Sequence, residues 1–133
     1  MPRRSPHRRL IVLVDDDPAV RGALTFSLEL DGFDVEACDS GESLLQHRLM
    51  DRETCLVIDQ KLPGISGLDA LAQLRARNVT APAILITSNP HRALRDAARN
   101  AGVPIVEKPL LGDVLTGDIH RAFDRWYGAA PKA

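Results

Sequence analysis

Acidic side chains directly follow two of the apolar runs in this sequence of 133 residues. Asp15 and Asp16 come after the run LIVLV, and Asp59 comes after the run CLVI. Two unit charges about 4 Å apart repel each other by about 4 kcal/mol at an effective dielectric constant of 20. If the fold gathers these three carboxylates, they therefore need a cation among them. Mg²⁺ is the expected cation, because it binds one or two carboxylates and keeps several waters.

A hydroxyl and an amine stand at the ends of two further apolar runs. Thr87 ends the run ILIT, and Lys108 follows the short run that ends in Glu107. A carboxylate beside Mg²⁺ can attack a phosphoryl group and form an aspartyl phosphate, while an amine and a hydroxyl bind the other phosphoryl oxygens. Taken singly, Thr87 fits equally well as an ordinary strand residue. Only convergence of these residues would make them a phosphoryl-transfer site.

Short apolar runs alternate along the chain with longer stretches of helical period. Strands are predicted at 10–14, 33–37, 55–58, 83–86 and 103–106, and helices at 18–31, 41–51, 67–77, 91–101 and 111–126. The run LIVLV lacks polar alternation, which is typical of parallel strands covered on both faces, whereas FDVEA alternates and is expected at an edge. This order predicts a doubly wound α/β fold, in which ligands bind at the carboxyl ends of the strands.

Helix boundaries are marked by capping residues. Asp17 before Pro18 is typical of a helix start, so we interpret Asp17 as the cap and give it no metal role. Ser40 is expected to cap the second helix, and Gly32 and Gly102 to follow helix ends. In the last helix, an apolar stripe is predicted to lie on the sheet, formed by Leu115, Ile119, Ala122, Phe123 and Trp126.

Composition excludes several classes of function. The 17 basic and 18 acidic residues nearly balance, so no overall field attracts nucleic acid or an anionic membrane. The apolar runs are far shorter than the roughly 20 residues that cross a bilayer. We therefore expect a cytoplasmic protein with a disordered basic arm at 1–8, one domain at 9–127 and a disordered tail at 128–133. Cys38 and Cys55 match no metal spacing and are expected to be buried.

Four linked motifs resemble a known family. VDDDPAVR, LVIDQKLPGISGLDAL, ILITS and VEKP, in this order and spacing, are similar to the receiver domain of two-component response regulators, the CheY-like family. The resemblance covers residues 9–126, and it implies the flavodoxin-like strand order 2-1-3-4-5, of which CheY is a known example. It also implies that Asp59 is the phosphoacceptor.

The resemblance assigns roles to the other candidate residues. Asp16 would be the main Mg²⁺ ligand, and Asp15 would act mostly through water. The backbone carbonyl of Lys61 would complete the metal site, which could also accept Mn²⁺. Thr87 and Lys108 would bind the phosphoryl group, and the Lys108–Pro109 bond is expected to be cis. The four histidines, His7, His47, His91 and His120, are expected to lie outside this site.

The resemblance also implies partners. A histidine kinase or a phosphotransfer protein would supply the phosphoryl group, with Ala19, Gly22 and Phe26 as candidate contacts on the first helix. A separate protein would receive the output, with no direct binding of nucleic acid or membrane. By this interpretation the protein catalyses only the phosphorylation and dephosphorylation of its own aspartate and is otherwise not an enzyme.

Three positions bear on how such a switch would work. Receivers commonly carry Tyr or Phe three residues before the lysine, but this sequence has Ile105 there, and no aromatic residue lies between Thr87 and Lys108. An isoleucine is stiff at χ1, so we expect a weakened or atypical switch. Lys61 and Asn89 occupy positions that flank the path of the hydrolytic water. Lys61 either shields the phosphoryl group or points into solvent, and the sequence leaves both alternatives open.

Other functional classes use a similar set of residues. A haloacid-dehalogenase-like phosphatase also combines a nucleophilic aspartate, Mg²⁺, a hydroxyl and a lysine, but its D-x-D-x-T motif on the first strand lacks its threonine here. A flavodoxin-like nucleotide binder would need a phosphate-binding loop after that strand, where three aspartates would repel phosphate. A pseudo-receiver, a binding module whose site no longer reacts, is the remaining alternative.

Overall fold

A computed structural model describes residues 8–48, 52–110 and 113–128. Strands and helices alternate through these residues as β1 (Leu10–Val14), α1 (Pro18–Leu30), β2 (Asp34–Cys38), α2 (Gly41–Gln46), β3 (Thr54–Asp59), α3 (Gly67–Ala76), β4 (Ala83–Thr87), α4 (Arg92–Asn100), β5 (Ile105–Glu107) and α5 (Val114–Tyr127). The parallel sheet has the order β2-β1-β3-β4-β5, which confirms the predicted fold and the edge position of β2. Apart from residues 8 and 128, the predicted arm and tail lie outside the described residues.

The register of the sheet brings the strand ends to one level. Val14, the last residue of β1, pairs with Ile58 of β3, so the residues that follow them, Asp15 and Asp59, are neighbours. On the other side of β3, Asp59 pairs with Ile86 of β4. Strand β4 in turn ends where Thr87 pairs with Glu107 of β5. The acids, the hydroxyl and Lys108 therefore leave the sheet at the same edge.

Two apolar layers hold the sheet in place. Alternate residues of β1 point to opposite faces, and all five are fully buried. One face packs against buried side chains of α2, α3 and α4, including Leu44, Leu71 and Leu94. The other face packs against α1 and α5, including Phe123. Because each buried side chain of this size contributes about 1.5–3 kcal/mol, these layers fix the strand ends far more firmly than the surface contacts do.

The predicted helix caps are confirmed. The Asp17 carboxylate accepts hydrogen bonds from the backbone N–H groups of Ala19 and Val20, at 2.9 and 3.4 Å, and the Ser40 hydroxyl caps α2. Gly32 and Gly102 follow α1 and α4 with positive φ angles of 99° and 71°. None of the described helices combines the length and apolar character that crossing a bilayer requires.

Several predicted boundaries differ from those of the structure, and two of these differences have a clear physical cause. Helix α2 ends at Gln46 instead of residue 51, because the backbone of His47 is extended and its ring contacts Glu36 at 2.7 Å. Strand β5 begins at Ile105 instead of residue 103. There the N–H of Val103 bonds to the carbonyl of Ala98 at the end of α4, and so it is not available to the sheet.

The predicted apolar stripe of α5 is correct except at its end. Leu115, Ile119 and Phe123 are buried, but Trp126 is 56% exposed. Tyr127 takes the inward position, and its hydroxyl donates to the carbonyl of Thr54 at 2.9 Å and accepts from the N–H of Thr54 at 3.2 Å. These two bonds fasten the end of α5 to the start of β3.

Both cysteines are buried and free, as expected. Burial raises the pKa of the Cys55 thiol to about 12. It also raises the pKa of Cys38. Neither thiol is therefore a candidate nucleophile at neutral pH.

Candidate functional site

Three carboxylates meet at the carboxyl ends of β1 and β3. Asp15, Asp16 and Asp59 each place an oxygen within 4.8 Å of the other two. Asp15 and Asp59 are only 1% and 4% exposed, whereas Asp16 is exposed to solvent. The convergence predicted from the sequence is therefore present in the fold. Mutual repulsion at these distances makes the cluster unfavourable without a positive charge.

The environment of Asp15 fits a bound cation. One carboxylate oxygen, Oδ1, accepts a hydrogen bond from the N–H of Asp17 at 2.9 Å. The other, Oδ2, is buried and has no hydrogen-bond partner within the described part of the chain. Burial raises the pKa of Asp15, the N–H of Asp17 lowers it, and the nearby charge of Asp59 raises it further. A buried oxygen without a hydrogen-bond partner, next to two more carboxylates, is the kind of ligand that a hard cation such as Mg²⁺ binds.

Lys108 brings one positive charge into the cluster. Its Nζ donates to Oδ2 of Asp59 at 2.9 Å and lies 3.8 Å from Oδ2 of Asp15. Burial lowers the pKa of Lys108, but the hydrogen bond to Asp59 and the surrounding acids outweigh this effect and raise it overall. The amine therefore stays protonated at neutral pH. One ammonium opposite three carboxylates still leaves a net negative charge in which a divalent cation would be favoured.

Thr87 and Lys108 are positioned by the last strand pair. Thr87 is 4% exposed, and its carbonyl accepts from the N–H of Lys108 at 2.9 Å. Among the described residues, the Thr87 hydroxyl makes one long contact of 3.4 Å, to the carbonyl of Ser88, so it can rotate toward another acceptor. The Lys108–Pro109 bond is cis, as expected.

A cavity of about 480 Å³ opens between the loops that follow β3 and β4. Lys61, Thr87 and Asn89 line it, so both positions expected to flank the hydrolytic water border the same space. His91 also lines this cavity, whereas the acid cluster does not, so the expectation that the histidines lie outside the metal and phosphoryl site stays a prediction. Its Nδ1 accepts from the N–H of Leu94 at 3.1 Å and so caps α4.

Three further residues support the site, although no pairing pattern in the sequence marks them. The Arg21 guanidinium donates to the carbonyl of Asp15 at 2.8 Å and so holds the loop after β1. Gly67 approaches Asp59 so closely that an added Cβ would lie 2.4 Å from the Asp59 carbonyl oxygen. Glu42 contacts the loop after β3. Arg21 and Glu42 bind backbone groups, which every residue offers, and so leave no pairing pattern in the sequence.

Comparison with protein-family models decides the interpretation of this geometry. The response regulator receiver domain model matches residues 11–120, a range that includes all of the candidate site residues. The chain belongs to the response regulator receiver domain family. It is therefore a receiver domain of two-component signalling, which favours this interpretation over the phosphatase alternative.

Curated relatives support the same assignment. The chain is 34% identical over 115 residues to the C4-dicarboxylate transport transcriptional regulatory protein DctD of Pseudomonas aeruginosa, and the match covers 86% of this chain and 25% of that protein. It is 33% identical over 118 residues to the transcriptional regulatory protein FixJ of Rhizobium meliloti, covering 88% of this chain and 58% of FixJ. The receiver domain described here thus spans between about a quarter and just over half of these relatives.

Solved structures show the same fold. The crystal structure of FixJ-N superposes with a TM-score of 0.79 at 32% identity, covering 87% of this chain and 94% of that one. The signal receiver domain of a Luxo repressor protein from Vibrio parahaemolyticus gives a TM-score of 0.81 at 21% identity, covering 89% and 92% of the two chains. At that lower identity the likeness concerns the fold alone.

Proposed function

We propose that this receiver domain accepts a phosphoryl group on Asp59 with the help of Mg²⁺ or Mn²⁺. Asp15, Asp16 and Asp59, together with the backbone carbonyl of Lys61, would hold the cation. The observation that carries this proposal is the buried Oδ2 of Asp15, which lacks a hydrogen-bond partner among the described residues and lies within a group of three acids. When bound, the cation would neutralise the negative charge of the cluster and of the incoming phosphoryl group.

The residues of the chain have separate roles in the proposed reaction. An oxygen of Asp59 attacks phosphorus, so that a new O–P bond forms while the bond from phosphorus to the donor nitrogen breaks. Two contacts already orient this carboxylate, the N–H of Lys61 at 3.2 Å from Oδ1 and the amine of Lys108 at 2.9 Å from Oδ2. After transfer, Lys108 pairs with the phosphoryl charge and the Thr87 hydroxyl donates to a phosphoryl oxygen.

The proposed donor is a histidine kinase or a phosphotransfer protein, and the phosphorylated domain would act on a separate output protein in the cytoplasm. Two of the predicted kinase contacts on α1, Gly22 and Phe26, border a shallow groove, and Phe26 is 67% exposed. An exposed aromatic ring on a helix beside the site is a suitable anchor for a protein partner. Ala19 lies on the same exposed helix.

The proposed switch works without an aromatic residue on β5. Ile105 is partly buried and packs against the apolar layer that contains Leu94 of α4. An ion pair between Arg95 of α4 and Glu107 of β5 joins the same two elements. Movement of Thr87 toward a phosphoryl group would therefore reach α4 through the backbone of the β4–α4 loop, because neither α4 nor β5 carries Phe, Tyr or Trp.

Phosphorylation by acetyl phosphate tests the proposed function directly. The purified protein is incubated with acetyl phosphate and Mg²⁺, and its intact mass is measured. We expect a mass increase of one phosphoryl group in the wild type and in the control Asp96→Asn, which removes a surface carboxylate on α4. The gain should be absent in Asp59→Asn and in wild type with EDTA.

Three other outcomes would contradict the proposal. A wild type that binds Mg²⁺ but gains no phosphate would be a pseudo-receiver. A phosphate that maps to Asp15, together with turnover of a generic phosphate ester, would indicate the phosphatase alternative. Phosphorylation that persists in Asp59→Asn would place the phosphoacceptor at another residue.

A further inference from the structure

The loop between β3 and α3, residues 60–66, carries the backbone carbonyl that is proposed to bind the cation. Its two ends are fastened by Gln60, whose carbonyl accepts from the N–H of Gly67 at 3.1 Å and whose side-chain oxygen accepts from the N–H of Leu68 at 2.8 Å. These bonds close the base of the loop, and the side chain of Ile65 in its middle packs against the apolar layer that also contains Leu44 of α2.

Helix α2 contacts the middle of this loop through Glu42. The carboxylate oxygen Oε2 of Glu42 accepts a hydrogen bond from the N–H of Ile65 at 3.1 Å, across 23 residues of sequence. Gly64, with a φ angle of +79°, lies against the same carboxylate, so closely that a Cβ there would be 2.3 Å from Oε2. A Cβ on Gly41 would likewise lie 2.6 Å from the side chain of Ile65. The first turn of α2 and the loop therefore fit closely together.

The position of Glu42 follows from the cap of α2. Ser40 caps the helix by accepting from the N–H of Ser43 at 3.0 Å, which places Glu42 in the first turn. A carboxylate in the first turn of a helix already interacts favourably with the helix dipole, without any further contact. The contact to Ile65 is additional, because helix geometry does not require a glutamate to reach the N–H of a distant loop.

We propose that Glu42 is a positioning residue for the cation site, which it affects by holding the 60–66 loop in the conformation that presents the Lys61 carbonyl. This inference rests on the proposed function, because that function assigns the carbonyl to the metal. Glu42 itself is not among the residues proposed to bind the cation or the phosphoryl group. Since a hydrogen bond of this kind contributes about 0.5–1.5 kcal/mol net, its loss should weaken Mg²⁺ binding by about two- to tenfold.

Two substitutions at Glu42 separate the hydrogen bond from the charge. Glu42→Ala removes the acceptor, whereas Glu42→Gln keeps an oxygen that can accept from the N–H of Ile65. Mg²⁺ affinity is measured by calorimetry, and exchange of the Ile65 amide hydrogen is measured in the metal-free protein. We expect Glu42→Ala to raise both the dissociation constant and the exchange rate by about two- to tenfold. Glu42→Gln should remain close to wild type, as should the control Glu29→Gln on the exposed face of α1.

Gly64→Ala disturbs the same contact from the opposite side. Its Cβ would collide with the Glu42 carboxylate and would require a left-handed backbone at alanine. We expect it to weaken Mg²⁺ binding in the wild type and to do so less in the Glu42→Ala background, where the carboxylate is absent. Such non-additivity is typical of residues in direct contact.

The outcomes distinguish this inference from the proposed function. Unchanged Mg²⁺ affinity in Glu42→Ala, with normal binding and phosphorylation of wild type, would overturn the positioning role alone. Glu42→Gln behaving like Glu42→Ala would show that charge acts, not the bond to Ile65, and would also overturn it. Wild type that binds no Mg²⁺ would overturn both. Wild type that binds Mg²⁺ but is not phosphorylated would refute only the proposed phosphorylation, and the effect of Glu42 on Mg²⁺ affinity would still be measured.

Discussion

Replacing Asp15 by asparagine should stabilise the metal-free protein. Asp59 lies within 4.8 Å of Asp15, so the two charges repel by at least about 3.5 kcal/mol at an effective dielectric constant of 20. Lys108, at 3.8 Å, attracts Asp15 by about 4.4 kcal/mol under the same assumption. The exposed Asp16 adds a repulsion of about 0.9 kcal/mol when water screens it. The charge interactions of Asp15 therefore nearly cancel.

What remains is the cost of burying the Asp15 carboxylate. The residue is 1% exposed, and Oδ2 has no hydrogen-bond partner in the described part of the structure. Leaving such a group unsatisfied costs about 1–3 kcal/mol. Asparagine keeps an oxygen for the N–H of Asp17 and offers an N–H₂ group to the Asp59 carboxylate. We therefore expect Asp15→Asn to raise the free energy of unfolding by about 1–3 kcal/mol in EDTA.

The stabilisation should depend on pH with a definite sign. Burial raises the pKa of Asp15 in the folded protein above its ordinary value of 3.8, so the folded state binds the proton more tightly than the unfolded state. For such a group, stability is lost as the pH rises from 3.8 through the raised pKa. The difference between Asp15→Asn and wild type should therefore be largest above the raised pKa and should disappear below about pH 3.8.

Urea unfolding in EDTA, at a series of pH values, measures this difference. The control is Asp96→Asn, which removes a surface carboxylate 3.6 Å from Arg99 and should change the free energy of unfolding by less than about 0.5 kcal/mol. Adding Mg²⁺ should stabilise wild type more than Asp15→Asn and so reduce the gap. A variant that is equal to or less stable than wild type at pH 7 in EDTA would refute the electrostatic reasoning.

Three further substitutions probe other parts of the fold. Tyr127→Phe removes both hydrogen bonds between the hydroxyl and Thr54. Urea unfolding should show a free energy of unfolding lower by about 1–3 kcal/mol, with Mg²⁺ affinity unchanged. Gly67→Ala places a Cβ 2.4 Å from the Asp59 carbonyl oxygen, so it should reduce both stability and the rate of phosphorylation by acetyl phosphate; wild-type behaviour would contradict the close contact. If Lys61 shields the phosphoryl group, Lys61→Ala should lose phosphate faster than wild type, as measured by intact mass. An unchanged rate would dismiss shielding.

Most of the fold could be predicted because its strands are buried on both faces. Runs such as LIVLV indicate a parallel sheet without any tertiary information, and residues such as Asp17 and Ser40 mark helix starts by local bonds. Two of the errors occurred where a distant partner determined the outcome. His47 leaves α2 to contact Glu36, and Trp126 is exposed because Tyr127 reaches Thr54. Such partners are 11 and 73 residues away in sequence, beyond the reach of periodicity.

The central residues of the candidate site could be predicted for a related reason. Asp15, Asp59, Thr87 and Lys108 all stand at the carboxyl ends of parallel strands, and such ends share one edge of a sheet. Their side chains also carry the charge or hydroxyl that marks them as unusual after an apolar run. Chemical type and strand position together thus indicated the cluster before its geometry was known.

The residues that support the site could not be predicted in this way, because their partners are backbone groups. Arg21 binds the carbonyl of Asp15, and Glu42 binds the N–H of Ile65. An ion pair between side chains requires two complementary residues, but a hydrogen bond to the backbone requires only one side chain. In the sequence, that side chain looks like an ordinary surface charge on a helix. Only the folded positions of the loops show what these residues hold. The loops after β1 and β3 carry the proposed metal ligands Asp16 and Lys61, so the residues that tune cation affinity are the ones that sequence patterns identify least well.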